Sequence, residues 1–105
     1  MKQSTVTNMS FTAKMWRYSG ESAWYFVTLP KIKAAQLRKT DLARGWGSIR
    51  VIATTGESSW STSIFPDKKS QSYLLPIKAQ IRKKESLKTG SRLKITLEFP
   101  DNERL

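Results

Sequence analysis

A near-duplicate phrase constrains this chain more than any other feature. Residues 32–39 read IKAAQLRK and residues 77–83 read IKAQIRK. Each phrase follows a strand-like run that ends in Pro, WYFVTLP at 24–30 and SYLLP at 72–76. Each is followed, after a linker, by a Gly-Ser pair and a second strand-like run, GSIRVI at 47–52 and GSRLKI at 90–95. One strand–Pro–short helix–Gly–strand unit cannot bury its apolar face alone. Two such units packed about a pseudo-twofold axis can close a small barrel, and closure removes the exposed sheet edges. A chain of 105 residues is long enough for one such domain. The expectation is a single mainly β domain over residues 10–100, with tails at 1–9 and 101–105.

Side-chain alternation fills in the elements. In SFTAKMWRY (10–18), Phe11, Ala13 and Met15 face one way and Thr12, Lys14 and Trp16 the other, the period of a strand. YSGES is a turn, so SAWYFVTL (22–29) is its hairpin partner. That second strand is apolar on both faces near Trp24–Val27 and is expected to be central and covered. Pro30 can open a helix, because its missing N–H costs nothing in a first turn. The inner stripe of that helix is expected at Ile32, Ala35 and Gln36 or Leu37. SIRVIAT (48–54) and SSWSTSIF (58–65) form a hairpin about TTGE, with Trp60, Thr62 and Ile64 on one face. FPDKKSQ reads as a polar loop and SYLL as a short strand. The second helix is expected over 76–85, with Ile77 and Ile81 inward and Lys78 and Arg82 outward. RLKITLEF (92–99) alternates cleanly, with Leu93, Ile95, Leu97 and Phe99 inward. The predicted order is ββαβββαβ.

Two resemblances attach to these residues. LPIKAQIRKKESLKTGSRLKI (75–95) resembles the swapped-hairpin motif of AbrB/MazE/SpoVT-type regulators, in which a Pro, an Arg-bearing short helix and a Gly-Asp box precede the last strand. Those barrels take one copy from each of two chains and bind DNA. Here both copies lie on one chain, so the resemblance implies a monomer imitating that dimer. The box is Gly90-Ser91, and the Asp that fixes the turn through backbone N–H groups is replaced. The stretch from Phe11 to Phe99 resembles more closely a small bacterial family of unknown function. Its members often precede a YdeI/OmpD-associated-like (bacteriocin-protection) domain. The matching pieces are WYFVTLP, RGWGSIRV (44–51), SSWSTSIFPDKKSQSYLLPIKAQIRK (58–83) and LKTGSRLKITLEF (87–99). That resemblance implies a double-split β-barrel and no known activity. With the sequence stopping at Leu105, the partner domain is expected to be absent.

Charge supplies the functional expectation. Nineteen Lys+Arg against eight Asp+Glu give a net charge of +11, an excess that attracts polyanions. Residues 68–94 concentrate it, with Glu85 their single acid. The expected phosphate-contacting edge comprises Lys33, Arg38 and Lys39 from one repeat, and Lys78, Arg82, Lys83 and Lys84 from the other. Lys68 and Lys69 add a loop. Such contacts predict salt-sensitive, weakly sequence-specific binding of DNA or RNA. The competing reading is a solvated helix face on an accessory module for a protein or small ligand. Its candidate residues are Trp46 and Arg44 at a barrel end.

RGWGSIRV also resembles the RNP1 strand of RNA-recognition domains, but Ser48 and Val51 stand where stacking aromatics belong. Alternation favours core positions for Trp24 and Trp60, while Trp16 falls opposite Phe11, Ala13 and Met15. Catalysis finds little support. There is no His and no Cys, which removes the commonest general base and the best thiol nucleophile. The carboxylates are scattered, so no metal or other cofactor is implied. MKQSTVTNMS lacks the apolar core of a signal peptide, and no apolar run could span a bilayer. The expectation is a cytoplasmic, non-enzymatic monomer with no membrane partner.

Overall fold

Period-two patterning sets the architecture of the computed structural model, which describes residues 7–20, 23–43 and 47–100. The elements are β1 (Asn8–Arg17), β2 (Tyr25–Thr28), α1 (Lys31–Arg38), β3 (Ile49–Thr55), β4 (Ser58–Asp67), β5 (Ser72–Pro76), α2 (Ala79–Lys84) and β6 (Arg92–Glu98). A 3-10 turn at Asp41–Ala43 follows α1. The order is the expected ββαβββαβ. The strands close a six-stranded barrel in the order β1-β2-β5-β4-β3-β6, each pair antiparallel. Alternate side chains fill it: Met9, Phe11 and Met15 from β1, Val27 from β2, Val51 and Ala53 from β3, Trp60 and Ile64 from β4. Leu75 joins from β5, and Leu93, Ile95 and Leu97 from β6, with Phe99 just beyond. The helices plug this core with Ala34, Leu37 and Ile81.

Strand pairing reveals a larger repeat than the phrases suggest. Exchanging β1 with β4, β2 with β5 and β3 with β6 maps the barrel's pairings onto themselves, with β2–β5 and β3–β6 unchanged. The duplicated unit is therefore strand–strand–helix–strand. Two hydrogen bonds fix the equivalence: Leu29 N–H donates to Tyr73 C=O at 3.0 Å, and Ile77 N–H donates to Tyr25 C=O at 2.8 Å. Leu29 thus corresponds to Ile77, and Tyr25 to Tyr73. The next residue caps each helix, Pro30 for α1 and Lys78 for α2.

This equivalence corrects the phrase alignment. Pro30 caps a helix, whereas Pro76 still belongs to β5, opposite Phe26. The ladder runs on to Ile77, so α2 starts at Ala79 rather than near Pro76. Ile32 and Ile77 share a letter and part company: Ile77 is buried, and Ile32 on the first turn of α1 is 68% exposed. The inner stripe of α1 is Ala34 and Leu37, with Ile32 and Ala35 outside. Leu29, fully buried just ahead of the cap, sets the rotation of the helix and overrides the expected phase. Likewise β4 continues through Phe65, Pro66 and Asp67, which pair with Leu74, Tyr73 and Ser72. The expected polar loop shrinks to residues 68–71.

Polar side chains finish the corners. Thr40 Oγ1 donates to Leu37 C=O at 2.7 Å and accepts Leu42 N–H at 3.2 Å, ending α1 without a glycine. At the end of α2, Ser86 takes φ +56° and Leu87 N–H donates to Arg82 C=O at 2.8 Å, a Schellman closure. Ser91 Oγ accepts Lys88 N–H at 2.9 Å, so Ser does what Asp would do in this turn. The Glu85 carboxylate reaches the β3–β4 hairpin, accepting Ser58 Oγ–H at 2.5 Å and Glu57 N–H at 3.3 Å.

Candidate functional site

When β1 turns Met15 inward it must turn Trp16 outward, and when β2 buries Val27 it exposes Phe26 on the same outer wall. Trp16 and Phe26 are register partners, with ring centroids 5.3 Å apart. Trp16 Nε1 donates to Thr28 Oγ1 at 2.9 Å, which holds the indole against the sheet. Trp24 stacks on Phe26 at 6.0 Å with the rings within 8° of parallel, and Tyr18 meets Phe26 edge-on at 6.5 Å. The result is a continuous aromatic strip with its outer members open. Trp24 and Tyr18 are each 52% exposed, and Phe65 across the groove is 45% exposed.

The strip forms one wall of a groove of about 1060 Å³, whose other lining includes Phe65, Leu74, Pro76 and Arg82. Arg17, Lys69, Lys78 and Arg82 bring four cations to it, and Asp67 is the only carboxylate among the described lining residues. Arg82 is held in place. Its Nε donates to Ile77 C=O at 3.1 Å, and its guanidinium lies 4.0 Å from the centre of the Tyr25 ring, a cation–π contact. Asp67 is turned into its own hairpin end. Its carboxylate accepts Ser70 Oγ–H at 2.7 Å and Ser70 N–H at 3.0 Å. The Ser70 hydroxyl in particular holds its pKa below the usual carboxylate value.

A second groove, of about 1010 Å³, lies on the far side of the β4 end and is lined by Arg38, Lys68, Gln71, Ser72 and Tyr73 among others. Burial raises the Tyr73 phenol above its ordinary pKa, with the charge of Arg38 opposing the rise.

The residues singled out in the sequence divide among these surfaces. Lys69, Lys78 and Arg82 meet at the first groove, and Arg38 and Lys68 at the second. Lys33, Lys39, Lys83 and Lys84 line neither groove; Lys33 is half-buried and the other three are exposed. Five of the nine cations therefore line a groove and four do not. Arg44 and Trp46 lie outside the described residues. Trp60 is buried as expected. Trp24 is not: the outer face of β2 is uncovered, so the apolar run at 24–27 marks a surface rather than a covered central strand. Strict phase counting carries that signal, since Trp24 and Phe26 stand out of step with Val27 and Leu29. The same count places Trp16 and Tyr18 outside β1 and Phe65 outside β4.

Among the described residues no helix is long and apolar enough to cross a membrane. None of the curated proteins matches the sequence. Residues 11–97 match the family model described as a domain of unknown function, DUF1905, a span that reaches from β1 into β6 and takes in both repeat units and both grooves. The chain thus belongs to the DUF1905 family.

Proposed function

We propose that the barrel is a non-enzymatic module that binds single-stranded nucleic acid along the aromatic groove. The observation that carries this reading is the open strip of Trp24, Phe26, Trp16 and Tyr18 beside four cations. Bases that are free of a duplex can stack on such rings whatever their sequence, while Lys and Arg track the phosphates. A duplex keeps its bases stacked on each other and has no use for exposed rings, so the aromatic wall favours a single strand over the double-stranded partner that two basic corners alone would suit. The net charge of +11 raises the local concentration of any polyanion and speeds encounter.

Fluorescence anisotropy with labelled oligo-dT and oligo-rU of about twelve nucleotides, within the usual span of one small barrel, tests the reading. Binding is expected to weaken steeply with salt, and Trp24→Ala is expected to cost about 5- to 100-fold in affinity, the range for loss of one stacked base. Absence of binding at low salt, or equal affinity in Trp24→Ala, would refute it. Binding of a ligand that ignores salt would point instead to an apolar protein segment or a small aromatic ligand, for which Phe65, Leu74 and Pro76 supply the floor.

A further inference from the structure

One corner of the second groove, at Tyr73, repeats a corner of the first, at Tyr25, across the pseudo-twofold axis, with different chemistry. Tyr25 and Tyr73 are exchanged by that axis, as their matched backbone bonds to Ile77 and Leu29 show. Each tyrosine faces an arginine from the other unit's helix: Arg82 of α2 lies over Tyr25, and Arg38 of α1 shares the second groove with Tyr73. In the first groove the open aromatic rings surround this corner. In the second, Tyr73 is the only aromatic among the described lining residues and is 5% exposed, while Arg38, Lys68, Gln71 and Ser72 supply polar groups beside Ala43 and Pro66. Among the described residues it offers no open ring for a base and several donors for an anion.

Its donors are positioned. Arg38 Nη2 donates to Gln71 C=O, which anchors one nitrogen of the guanidinium and leaves its remaining N–H groups for an anion. Gln71 itself sits at φ +57°, a left-handed conformation that a non-glycine residue adopts at a cost. Lys68 is the immediate neighbour of Lys69 on the first groove's rim: Phe65 and Lys69 line the first groove, Pro66 and Lys68 the second, and Asp67 both. The two grooves therefore meet across the end of β4. The Tyr73 phenol, whose ordinary pKa near 10 is raised further by burial, is protonated at neutral pH and carries an O–H donor. Asp67 is the only carboxylate among the described lining residues, and Ser70 engages it from within the turn.

We propose that the groove at Arg38, Lys68 and Tyr73 is a phosphate subsite, and that a single strand stacked in the aromatic groove crosses the β4 end to place its backbone there. The crossing rests on the single-strand reading above; the phosphate site does not. Two measurements separate them. First, oligo-dT of about four and about twelve nucleotides is titrated against the native protein, Arg38→Gln and Trp24→Ala. Arg38 is exposed and its replacement leaves the core intact. Arg38→Gln is expected to leave the short strand within about twofold, weaken the long strand by about three- to tenfold, and shallow the long strand's salt slope by about one phosphate contact. Trp24→Ala weakens both lengths. Equal effects of Arg38→Gln on both lengths, or none on either, overturn the crossing while a Trp24→Ala loss keeps the aromatic reading alive. Second, inorganic pyrophosphate is titrated into the full chain and followed by amide NMR. Shifts are expected at Gln71, Ser72 and Tyr73 and are expected to vanish in Arg38→Gln. No shift at these amides in the native protein overturns the phosphate subsite, whatever happens at the aromatic groove.

Discussion

Gly56 and Glu85 make the sharpest test of how α2 is held. Gly56 lies at the tip of the β3–β4 hairpin with φ +57°. An L-residue there costs about 1–2 kcal/mol in backbone strain. A Cβ at this position would also stand 2.8 Å from Glu85 Cδ and collide with its carboxylate. The carboxylate would have to leave Ser58, whose hydroxyl is buried, and the Glu57 N–H. A hydrogen bond to a charged group contributes about 1.5–3 kcal/mol, and part of that is recovered by solvation of the freed groups. Gly56→Ala is therefore expected to cost about 2–4 kcal/mol in total. In a Glu85→Ala background the collision and the lost bond are already gone. There Gly56→Ala should cost only the strain, about 1–2 kcal/mol. Urea unfolding of the four variants, at unchanged m-value, gives the coupling directly. A coupling of about 1–2 kcal/mol is expected. Additivity within about 0.5 kcal/mol would refute the claim that Glu85 ties α2 to this hairpin. The consequence reaches the groove, because α2 carries Arg82.

Three further outcomes follow from particular contacts. Burial raises the Tyr73 pKa, so the folded state keeps its proton when the unfolded chain releases it. That stability is fully present below the unfolded value near 10 and is lost as pH rises through the folded value; Tyr73→Phe should flatten the alkaline limb of a thermal-stability profile above about pH 10. Lys14 stands directly opposite Arg92 on the outer face of β1 and β6, a like-charge pair that costs a few tenths of a kcal/mol to 1 kcal/mol. Lys14→Glu should raise Tm by about 2–5 °C at low salt, with the gain fading as salt is added. Ser91→Ala removes the acceptor for Lys88 N–H and should cost about 1 kcal/mol in urea unfolding, whereas Ser91→Asp should hold the turn.

The inward sets of β1, β4 and β6 were legible because alternation over seven to ten residues leaves a single phase that buries the apolar side. Short elements were not. Four residues of β2 carry apolar letters on both faces, and composition there cannot say which face is covered. The eight residues of α1 have two plausible stripes, and only the anchor at Leu29 chooses Ala34 and Leu37. The candidate site suffered in the same way. Its cations were visible one by one as letters, but their partition between two grooves depends on the β4 end, whose pairing extends through a proline and an aspartate that read as loop. The aromatic wall went unrecognised because tryptophan in a strand usually means core.

The duplicated phrase did determine that the chain folds as two related halves closed into one barrel, since neither half can cover its own apolar face. Element order, the inward faces of the long strands and the excess of positive charge were likewise properties of the linear chain. Tertiary structure alone decided which residues the two halves exchange. It paired Leu29 with Ile77 and Tyr25 with Tyr73, not the look-alike Ile32 with Ile77. The reason is physical: helix phase is set where the backbone ladder ends, and that point depends on which strand lies across it rather than on the letters of the helix itself.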